Sequence, residues 1–269
     1  MAATSQSHRS GAHQPSDERS QHAIYVYGIL PGDVELADEM TGVGEPPGAV
    51  KLVHADDLAA LVSEVNLDSP LGTPEDLAAH KEVLDATATA AAVLPMRFGA
   101  VVASEDAVID ELLRPYHDDF SAAVRELDSR LEYVVKGRYN EQAILHEILS
   151  ENPDAEQLLG RIRGKDPDAT RDLRIRLGEL ITAAVEAKRQ RDTRVLGDAM
   201  TGHCVASAVR EPTHERDAAH VALLVETGQR KGMKKAVQDL ATKWEGRADV
   251  RLLGPMAAYD FVTSSRPGS

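Results

Sequence analysis

The chain has one cysteine, Cys204, in 269 residues, so it can form neither an internal disulfide nor a thiolate metal cluster. It also lacks any apolar run near the ~18 residues that a membrane-spanning helix needs. Its N-terminus has no apolar core of the kind found in secretion signals. These absences predict a protein of the reducing cytoplasm that does not insert into a membrane.

Positive charge is scarce as well. The 30 Lys and Arg residues are outnumbered by 44 Asp and Glu residues, which gives a formal net charge of −14. Such a chain has no overall electrostatic support for binding nucleic acid or an anionic membrane surface, so we expect neither as a partner. The charge is uneven, because 31–76 holds eleven acids and one base, whereas 161–194 holds ten bases and six acids. Either both stretches are solvated faces, or one attracts the other or a neighbouring molecule.

Catalytic and metal-binding patterns are missing too. No two histidines have the spacing that puts two ligands on one helix face, and no nucleophile-elbow, Walker A or dinucleotide motif occurs in a strand–turn–helix context. His203 and Cys204 are adjacent, so in a strand their side chains point to opposite faces and form no nucleophilic pair. Cys204 is predicted to be a small buried residue. We expect no catalytic residue, no metal and no cofactor, and therefore no enzyme.

Apolar periodicity and turn residues predict three strands, a helix, a short extended segment and a second helix in the first part of the chain. The predicted strands are 23–30, 49–54 and 58–65. Thr73 should cap the first helix, which carries Leu77 on its apolar stripe and ends before Pro95. Ser104 should cap the second helix, with one continuous apolar stripe to Leu127.

The second part of the chain predicts strand, helices, strand, strand, helix and strand, which is the ferredoxin-like order with an enlarged first helical crossover. The predicted strands are 131–137, half-buried, then 204–210, 219–226 and 250–253. The predicted helices are 141–149, a long one capped by Asp168 and running to about residue 199, and 229–244, with a loop at 160–168. Four bases near the end of the long helix complement its dipole and together predict a binding face: Lys188, Arg189, Arg191 and Arg194.

These elements predict an α+β protein with two domains. Residues 1–22 are expected to be a disordered tail, 23–129 an N-terminal α+β domain, 130–263 a ferredoxin-like C-terminal domain with a long helix, and 264–269 a flexible tail. The motif Leu94-Pro95-Met96-Arg97-Phe98-Gly99 lies between the two helices of the first domain. There Arg97 either extends to solvent or pairs with a nearby acid, or it belongs to an interaction site. His80 likewise reads as a residue at the edge of the core or as a partner contact.

Together with His80-Lys81-Glu82-Val83-Leu84, this motif resembles the gas vesicle protein F/L family. Ala23 to Ile29 is similar to the opening strand of that family, and Leu253 to Val262 is similar to its closing segment. The resemblance runs from about Ala23 to Val262 and implies the same two-domain plan. By this resemblance, eight residues of the family motifs are assigned to positions of this chain. Their implied role is architectural or, alternatively, contact with a partner. They are Pro95, Arg97, Phe98, Gly99, Gly254, Pro255, Tyr259 and Phe261.

The resemblance implies a non-enzymatic accessory protein of gas vesicle assembly. Such a protein would bind the major gas vesicle shell protein, limit its aggregation during nucleation, and in some cases remain as a minor vesicle component. Other accessory proteins of the gas vesicle are further partners that the family implies, with a cytoplasmic, vesicle-associated location. The alternative is a ligand-binding or catalytic protein built on ferredoxin-like domains, which would need a closed pocket with convergent polar groups.

Overall fold

The structure is a computed structural model that describes residues 22–36 and 39–262. Within these ranges the chain forms two antiparallel sheets. The strands are β1 His22–Pro31, β2 Val50–Ala55, β3 Leu58–Asn66, β4 Leu94–Pro95, β5 Val101–Val102, β6 Arg130–Tyr139, β7 Ala206–Val209, β8 Asp217–Glu226 and β9 Ala248–Met256. The helices are α1 Pro74–Ala90, α2 Glu105–Ala107, α3 His117–Leu127, α4 Glu141–Glu151, α5 Pro153–Ile162, α6 Arg171–Met200 and α7 Arg230–Lys243.

The first sheet has the order β2-β3-β1-β4, and β5 also pairs with β1. The central strand β1 therefore has neighbours on both sides and is almost entirely buried. The three predicted strands of this part of the chain are confirmed within one or two residues. The predicted tail 1–22 lies outside the described residues except for His22, which begins β1, and the predicted tail 264–269 lies outside them as well.

Helix α1 begins as predicted, because the Thr73 and Asp76 side chains form a reciprocal capping box with each other's backbone amides. The prediction for Leu77 is wrong, since this side chain is 51% exposed and the buried face runs through Asp76 and His80 instead. The Asp76 carboxylate accepts hydrogen bonds from the backbone amides of Gly44, Gly72 and Thr73. These bonds hold the first turn of α1 against the preceding loop. They determine which face of the helix is turned inward, and apolar periodicity does not reveal this.

The predicted second helix is not continuous. After α2 the chain makes a π-helical turn over Val108–Leu113, in which the Arg114 amide bonds to the Ile109 carbonyl, and α3 starts only at His117. The wider turn brings both Leu112 and Leu113 into the core. The apolar stripe was recognised correctly at its C-terminal end, where Phe120, Val124 and Leu127 are buried.

The second sheet has the order β7-β8-β6-β9, and all its pairings are antiparallel. Numbered along this half of the chain, the strands lie in the order 2-3-1-4, which confirms the ferredoxin-like arrangement. Helices α4, α6 and α7 pack on one face around Tyr133, Leu223 and Trp244. The mixed helix and sheet composition confirms the α+β class, while the domain limits at 129 and 130 stay a prediction.

Strand β6 is buried on both faces, so the half-buried prediction is wrong. Its second face is covered because the sheet packs against the N-terminal part of the chain: Leu224 of β8 belongs to the same apolar cluster as Val26 and Phe120. An alternating strand pattern indicates one apolar face but does not reveal what covers the other.

The helical crossover contains one helix more than predicted. Asn152 ends α4, and its side chain caps the new helix α5, with Pro153 at the first position, so the predicted loop at 160–168 begins only after Ile162. Asp168 is not the cap of α6. The Asp166 carboxylate instead accepts the amides of Asp168 and Ala169 in a 3₁₀ turn that precedes the helix.

Three of the four basic residues late in α6 are used in internal pairs, and only Arg194 is exposed without an ion pair to a described residue. Lys188 is buried and pairs with Glu147 and Glu151 of α4 at 2.5 and 2.7 Å, and Arg191 also pairs with Glu147 at 3.6 Å. Arg189 pairs with Glu186 and donates to the backbone carbonyls of Glu215, in the loop before β8, and Asp217, the first residue of β8. Cys204 is half-buried rather than buried, with its Sγ 3.6 Å from the Met200 carbonyl oxygen.

Candidate functional site

The two motifs that the sequence singled out meet where the closing segment after β9 packs against α1 and the crossing between α1 and α2. We call this contact the junction and define it by five aromatic rings: Tyr25, Tyr27, His80, Phe98 and Tyr259. Tyr25 and Tyr27 alternate on β1 and so share a face. The His80 ring lies with its centroid 5.7 Å from both tyrosine rings, 5.5 Å from Phe98 and 6.4 Å from Tyr259.

Tyr25 ties the junction together through its hydroxyl group. This oxygen lies 2.9 Å from His80 Nδ1 and accepts a hydrogen bond from the Gly99 amide at 3.0 Å. Burial raises the pKa of Tyr25 to about 12, and burial lowers the pKa of His80, so both groups are neutral at pH 7. When Tyr25 donates to Nδ1, the imidazole proton sits on Nε2, which is buried and near the Met96 backbone but makes no hydrogen bond of normal length there.

The central motif contributes unequally to the junction. Pro95 is buried in β4 opposite Gly28 of β1, and Phe98 is half-buried against His80. Gly99 adopts a φ of 89°, a conformation that favours glycine, and this turns its amide toward Tyr25. Arg97 is exposed and makes no ion pair with any described residue, so it extends to solvent rather than pairing with a neighbouring acid.

The closing segment is anchored to both halves of the chain. The Ala257 amide donates to Asp85 Oδ1 of α1 at 3.0 Å, while the Asp260 amide donates to Glu132 Oε2 of β6 at 3.0 Å. Arg210 bridges the same carboxylates, with Nη2 3.3 Å from Glu132 Oε1 and Nε 2.5 Å from Asp260 Oδ2. Burial, reinforced by the charge of Asp260, raises the pKa of Glu132 to about 7 against the opposing effects of the Asp260 amide and Arg210.

The remaining closing residues fit tightly or fill apolar space. Gly254 has a φ of 110°, and a Cβ atom there would lie 2.9 Å from the Glu132 carbonyl oxygen, so a larger residue is excluded. Pro255 follows in a cis peptide bond. Burial raises the pKa of Tyr259, and Phe261 packs into the apolar cluster of the N-terminal half beside Leu94. Of the eight predicted residues, Phe98 and Tyr259 supply rings to the junction and Gly99 donates to Tyr25, whereas Phe261 packs in a separate apolar cluster and Arg97 takes no part in the contacts.

Sequence reasoning missed five residues that hold the junction: Tyr25, Asp85, Glu132, Arg210 and Asp260. The alternation of Tyr25 and Tyr27 in a buried strand was an available indication. Glu132 lies at a polar position of an alternating strand, which reads as solvent-facing, although its side chain is fully buried. Only the packing of one half against the other reveals its role.

The junction consists of groups in mutual contact, and its hydroxyl–imidazole pair, Tyr25 and His80, is buried among the surrounding rings. In the described ranges, 22–36 and 39–262, no group of three or more His, Cys, Asp or Glu side chains is arranged to hold a metal ion. No helix of these ranges is both long enough and apolar enough to cross a membrane. The geometry is that of a structural contact between the two halves.

Comparison with known proteins identifies the family. The profile of the family described as "Gas vesicle synthesis protein GvpL/GvpF" matches residues 23–263, nearly all of the chain. The chain belongs to the GvpL/GvpF family. Membership confirms the family that the motifs of β1, the crossing and the closing segment indicated, and it gives the protein an accessory role in gas vesicle synthesis.

Relatives within the GvpL/GvpF family cover the chain almost completely. Gas vesicle protein F of Streptomyces sp. (strain CB03234) is 33% identical over 243 residues, which are 89% of this chain and 99% of the relative. Gas vesicle protein L of the same organism is 35% identical over 126 residues, 42% of this chain. The crystal structure of GvpF from Anabaena sp. PCC7120 has a TM-score of 0.75 at 24% identity and covers 91% of this chain and 99% of its own, so the fold is shared along the whole length.

Proposed function

We propose that this GvpL/GvpF-family protein is a non-enzymatic accessory factor that binds the major gas vesicle shell protein and limits its aggregation during assembly. The proposal includes a cytoplasmic, vesicle-associated location and contacts with other gas vesicle accessory proteins. Its support is the family match over residues 23–263 together with a relative, 33% identical, that is named gas vesicle protein F. A shell subunit with apolar patches and strand edges needs such a cover before it pairs indiscriminately.

The observation that carries the proposal is the open edge of the second sheet at β7. This strand is the last in the order β7-β8-β6-β9, and no described strand pairs with its outer side. Val205 and Val209 lie on the same face of this edge and are 44% and 72% exposed. Val209 also lines a cleft of about 330 Å³ between α6 and β7. An unpaired edge with exposed valines is an aggregation hazard unless a partner strand covers it.

Strand addition at this edge fits an apolar partner. Main-chain hydrogen bonds to β7 would supply affinity, and the two valines would supply an apolar contact on one face of the added strand. Ala206, on the other face of the strand, packs against the core of the N-terminal half and holds the edge in place. The junction residues, in contrast, are turned inward, and we assign them the architectural role rather than the shell-protein contact.

The alternative, a ligand-binding or catalytic protein, requires a pocket with convergent polar groups. A cleft of about 690 Å³ lies between α4, α6 and the loop before β8 rather than around Arg97. Its apolar wall contains Ile144, Ile181 and Val185. Five charged residues and His214 also line it, and four of the charged residues are used in pairs, Arg216 with Glu141 at 3.3 Å and Arg189 with Glu186. No observation at this cleft favours a reaction, and we do not adopt the alternative.

The test is co-purification of the co-expressed shell protein with the tagged full chain. Val209→Lys places a charge on the edge and removes an apolar contact whose full burial is worth about 1.5–3 kcal/mol, so capture should fall at least about tenfold. Leu77→Lys is the control, because Leu77 is also an exposed apolar residue, 51% against 72% for Val209, but lies on a helix away from the strand edge. It should capture as the wild type does.

Equal loss in both variants would assign capture to general apolar surface and overturn the edge as the site. Absence of a complex with the folded wild-type chain would overturn shell-protein binding itself. A second pair of variants separates contact from scaffold. Arg97→Ala should change neither capture nor stability, whereas Phe98→Ala should lower stability and leave capture by the folded fraction unchanged.

A further inference from the structure

The first sheet also has an open edge, and it differs in chemistry from β7. A cleft of about 520 Å³ runs along β2 between this strand and residues 32–36. Its apolar lining is provided by Val34, Leu36, Val50 and Leu52. Two exposed acids, Asp33 and Glu35, also line the cleft, and neither makes an ion pair with a described residue. We call this feature the acidic cleft.

The acidic cleft has little compensating positive charge of its own. Lys51, the one base between residues 31 and 76, lines the cleft but is bound to Glu64 at 3.0 Å and Glu105 at 2.7 Å. A partner for the cleft therefore needs an apolar side chain for the floor and cations for the rim.

The opposite half of the protein presents a group with this composition. Six bases, all exposed, surround the corner between α5 and α6: Arg161, Arg163, Lys165, Arg171, Arg174 and Arg176. We call them the basic tip. With three acids in the same stretch, the tip has a formal charge of +3 in a chain of −14. In the middle of the tip Ile175 is 53% exposed.

Helix stability accounts for only part of the basic tip. Arg161 and Arg163 lie at the C-terminal end of α5, where cations complement the helix dipole, but Arg171 and Arg174 lie at the N-terminal end of α6, where each opposes it at a cost of about 0.3–1 kcal/mol. The bases of the tip make no ion pair with any described residue, and the only side-chain hydrogen bond from them runs from Arg174 Nε to Thr170 at 3.1 Å. Later in the same helix Lys188 and Arg189 are fully engaged in internal pairs. The positive charge of the tip is thus available to another molecule.

We propose that the basic tip of one copy of this protein docks into the acidic cleft of a second copy, with Ile175 on the apolar floor and the flanking arginines against Asp33 and Glu35. The two surfaces match in sign, in apolar content and in the absence of internal partners. They lie on different halves of the chain, and no ion pair joins them within one described molecule. A contact between two unlike patches repeats from copy to copy, so it builds an open chain, or a ring where the rotation between copies closes.

The contact is small, so the association is weak and depends on concentration and salt. Sedimentation velocity of the full chain should show a mass that rises above the 29.1 kDa monomer with concentration at low salt. Raising the salt from about 0.02 M to about 1 M shortens the Debye length from roughly 20 Å to about 3 Å, and the monomer should return. A protein that stays monomeric at low salt and high concentration would overturn the proposal.

Charge exchange gives the decisive version of this test. Arg171→Glu with Arg174→Glu removes the cationic tip, Asp33→Lys with Glu35→Lys reverses the cleft, and each double variant alone should be monomeric. Mixing the two should restore association, because each acidic tip then meets a basic cleft and each basic tip an acidic one. The control is Lys231→Glu with Lys234→Glu, at exposed positions of α7. It changes the net charge by the same amount as the double variant of the tip and should leave association intact.

Association that survives in either double variant, or a mixture that stays monomeric, would place the contact elsewhere. If the wild-type tip instead captures a duplex DNA oligonucleotide while the protein remains monomeric, the partner is a nucleic acid and the proposal fails. These measurements use no shell protein, so their outcome is independent of capture at the β7 edge.

Discussion

At the scale of single residues, Tyr25 connects three segments that are distant in the sequence. Its hydroxyl group contacts His80 of α1 and the Gly99 amide of the crossing, and its ring packs against Phe98. Because His80 is buried, loss of the hydroxyl leaves its Nδ1 without a partner, which costs more than the bond itself contributes, whereas the exposed Gly99 amide can bond to water.

Tyr25→Phe should therefore lower the free energy of unfolding by about 1–3 kcal/mol, measured by denaturant titration. Tyr116→Phe is the control, because Tyr116 is a half-buried tyrosine whose hydroxyl bonds to no described residue. That variant should stay within about 0.5 kcal/mol of the wild type. Equal effects in the two variants would show that the Tyr25 hydrogen bonds contribute nothing to stability.

Glu132 gives the junction a dependence on pH. Its pKa is about 7 in the folded protein and 4.5 for an ordinary glutamate, so the folded state binds the extra proton between these values. The associated stability is fully present below pH ~4.5 and is lost as the pH rises through about 7, by roughly 3 kcal/mol at most. In the Glu132→Gln variant, the free energy of unfolding should no longer decline between about pH 5 and pH 8. A variant with the same slope as the wild type would exclude Glu132 as its source.

At the scale of elements, α6 is held by ion pairs along its second half and is much less covered along its first. Its buried residues are Lys188, Asp192, Leu196 and Met200, all in the second half. Asp192 accepts a hydrogen bond from Tyr139 at 2.5 Å and pairs with Arg247 at 2.8 Å, and Arg247 also pairs with Glu147. This network joins α4, α6, β6 and the start of β9.

Lys188→Ala should lower the free energy of unfolding by about 2 kcal/mol, less than the 3–5 kcal/mol of a fully buried pair, because Glu147 keeps Arg247 and Glu151 is half exposed. Arg194→Ala, at an exposed position of the same helix without an ion pair to a described residue, should change it by less than about 0.5 kcal/mol. The comparison is made by urea unfolding. A Lys188 variant as stable as the Arg194 variant would contradict a structural role for the network.

Elements with a strong local pattern could be predicted from the sequence, and those decided by packing could not. Helix α7, with Met233, Val237 and Leu240 buried, and the hairpin of β7 and β8 were found from periodicity alone. The π-helical turn before α3 was missed because it inserts one residue into a pattern that still looks helical. At the junction, Phe98 and Tyr259 came from family motifs, while Glu132 depends on burial that no local pattern encodes.

At the scale of the whole molecule, the two halves share an apolar core. Leu224 and Ala258 come late in the sequence, yet they belong to the cluster around Val26 and Phe120. Halves that share a core are expected to unfold together, as one cooperative unit.

The double variant Tyr259→Ala with Phe261→Ala should make the two halves unfold separately. Trp244, the only tryptophan, reports on the C-terminal half, and far-UV circular dichroism reports on both. The two transitions should coincide in the wild type and separate in the double variant, in which two aromatic contacts worth about 2 kcal/mol each are lost. Leu253→Ala, on the exposed edge strand β9, should keep them together. Coincident transitions in the double variant would refute the coupling.

The position of Ala258 and Phe261 in the core of the first half also sets an order of events on the ribosome. Translation delivers the N-terminal strands and helices first, but the residues that complete their core follow Leu127 by roughly 130 positions, or about 7–26 s of synthesis. During that interval the nascent first half has its apolar surface uncovered. It reaches its final form only when the closing segment has emerged from the exit tunnel, so the first half completes its folding after the second half has been synthesised.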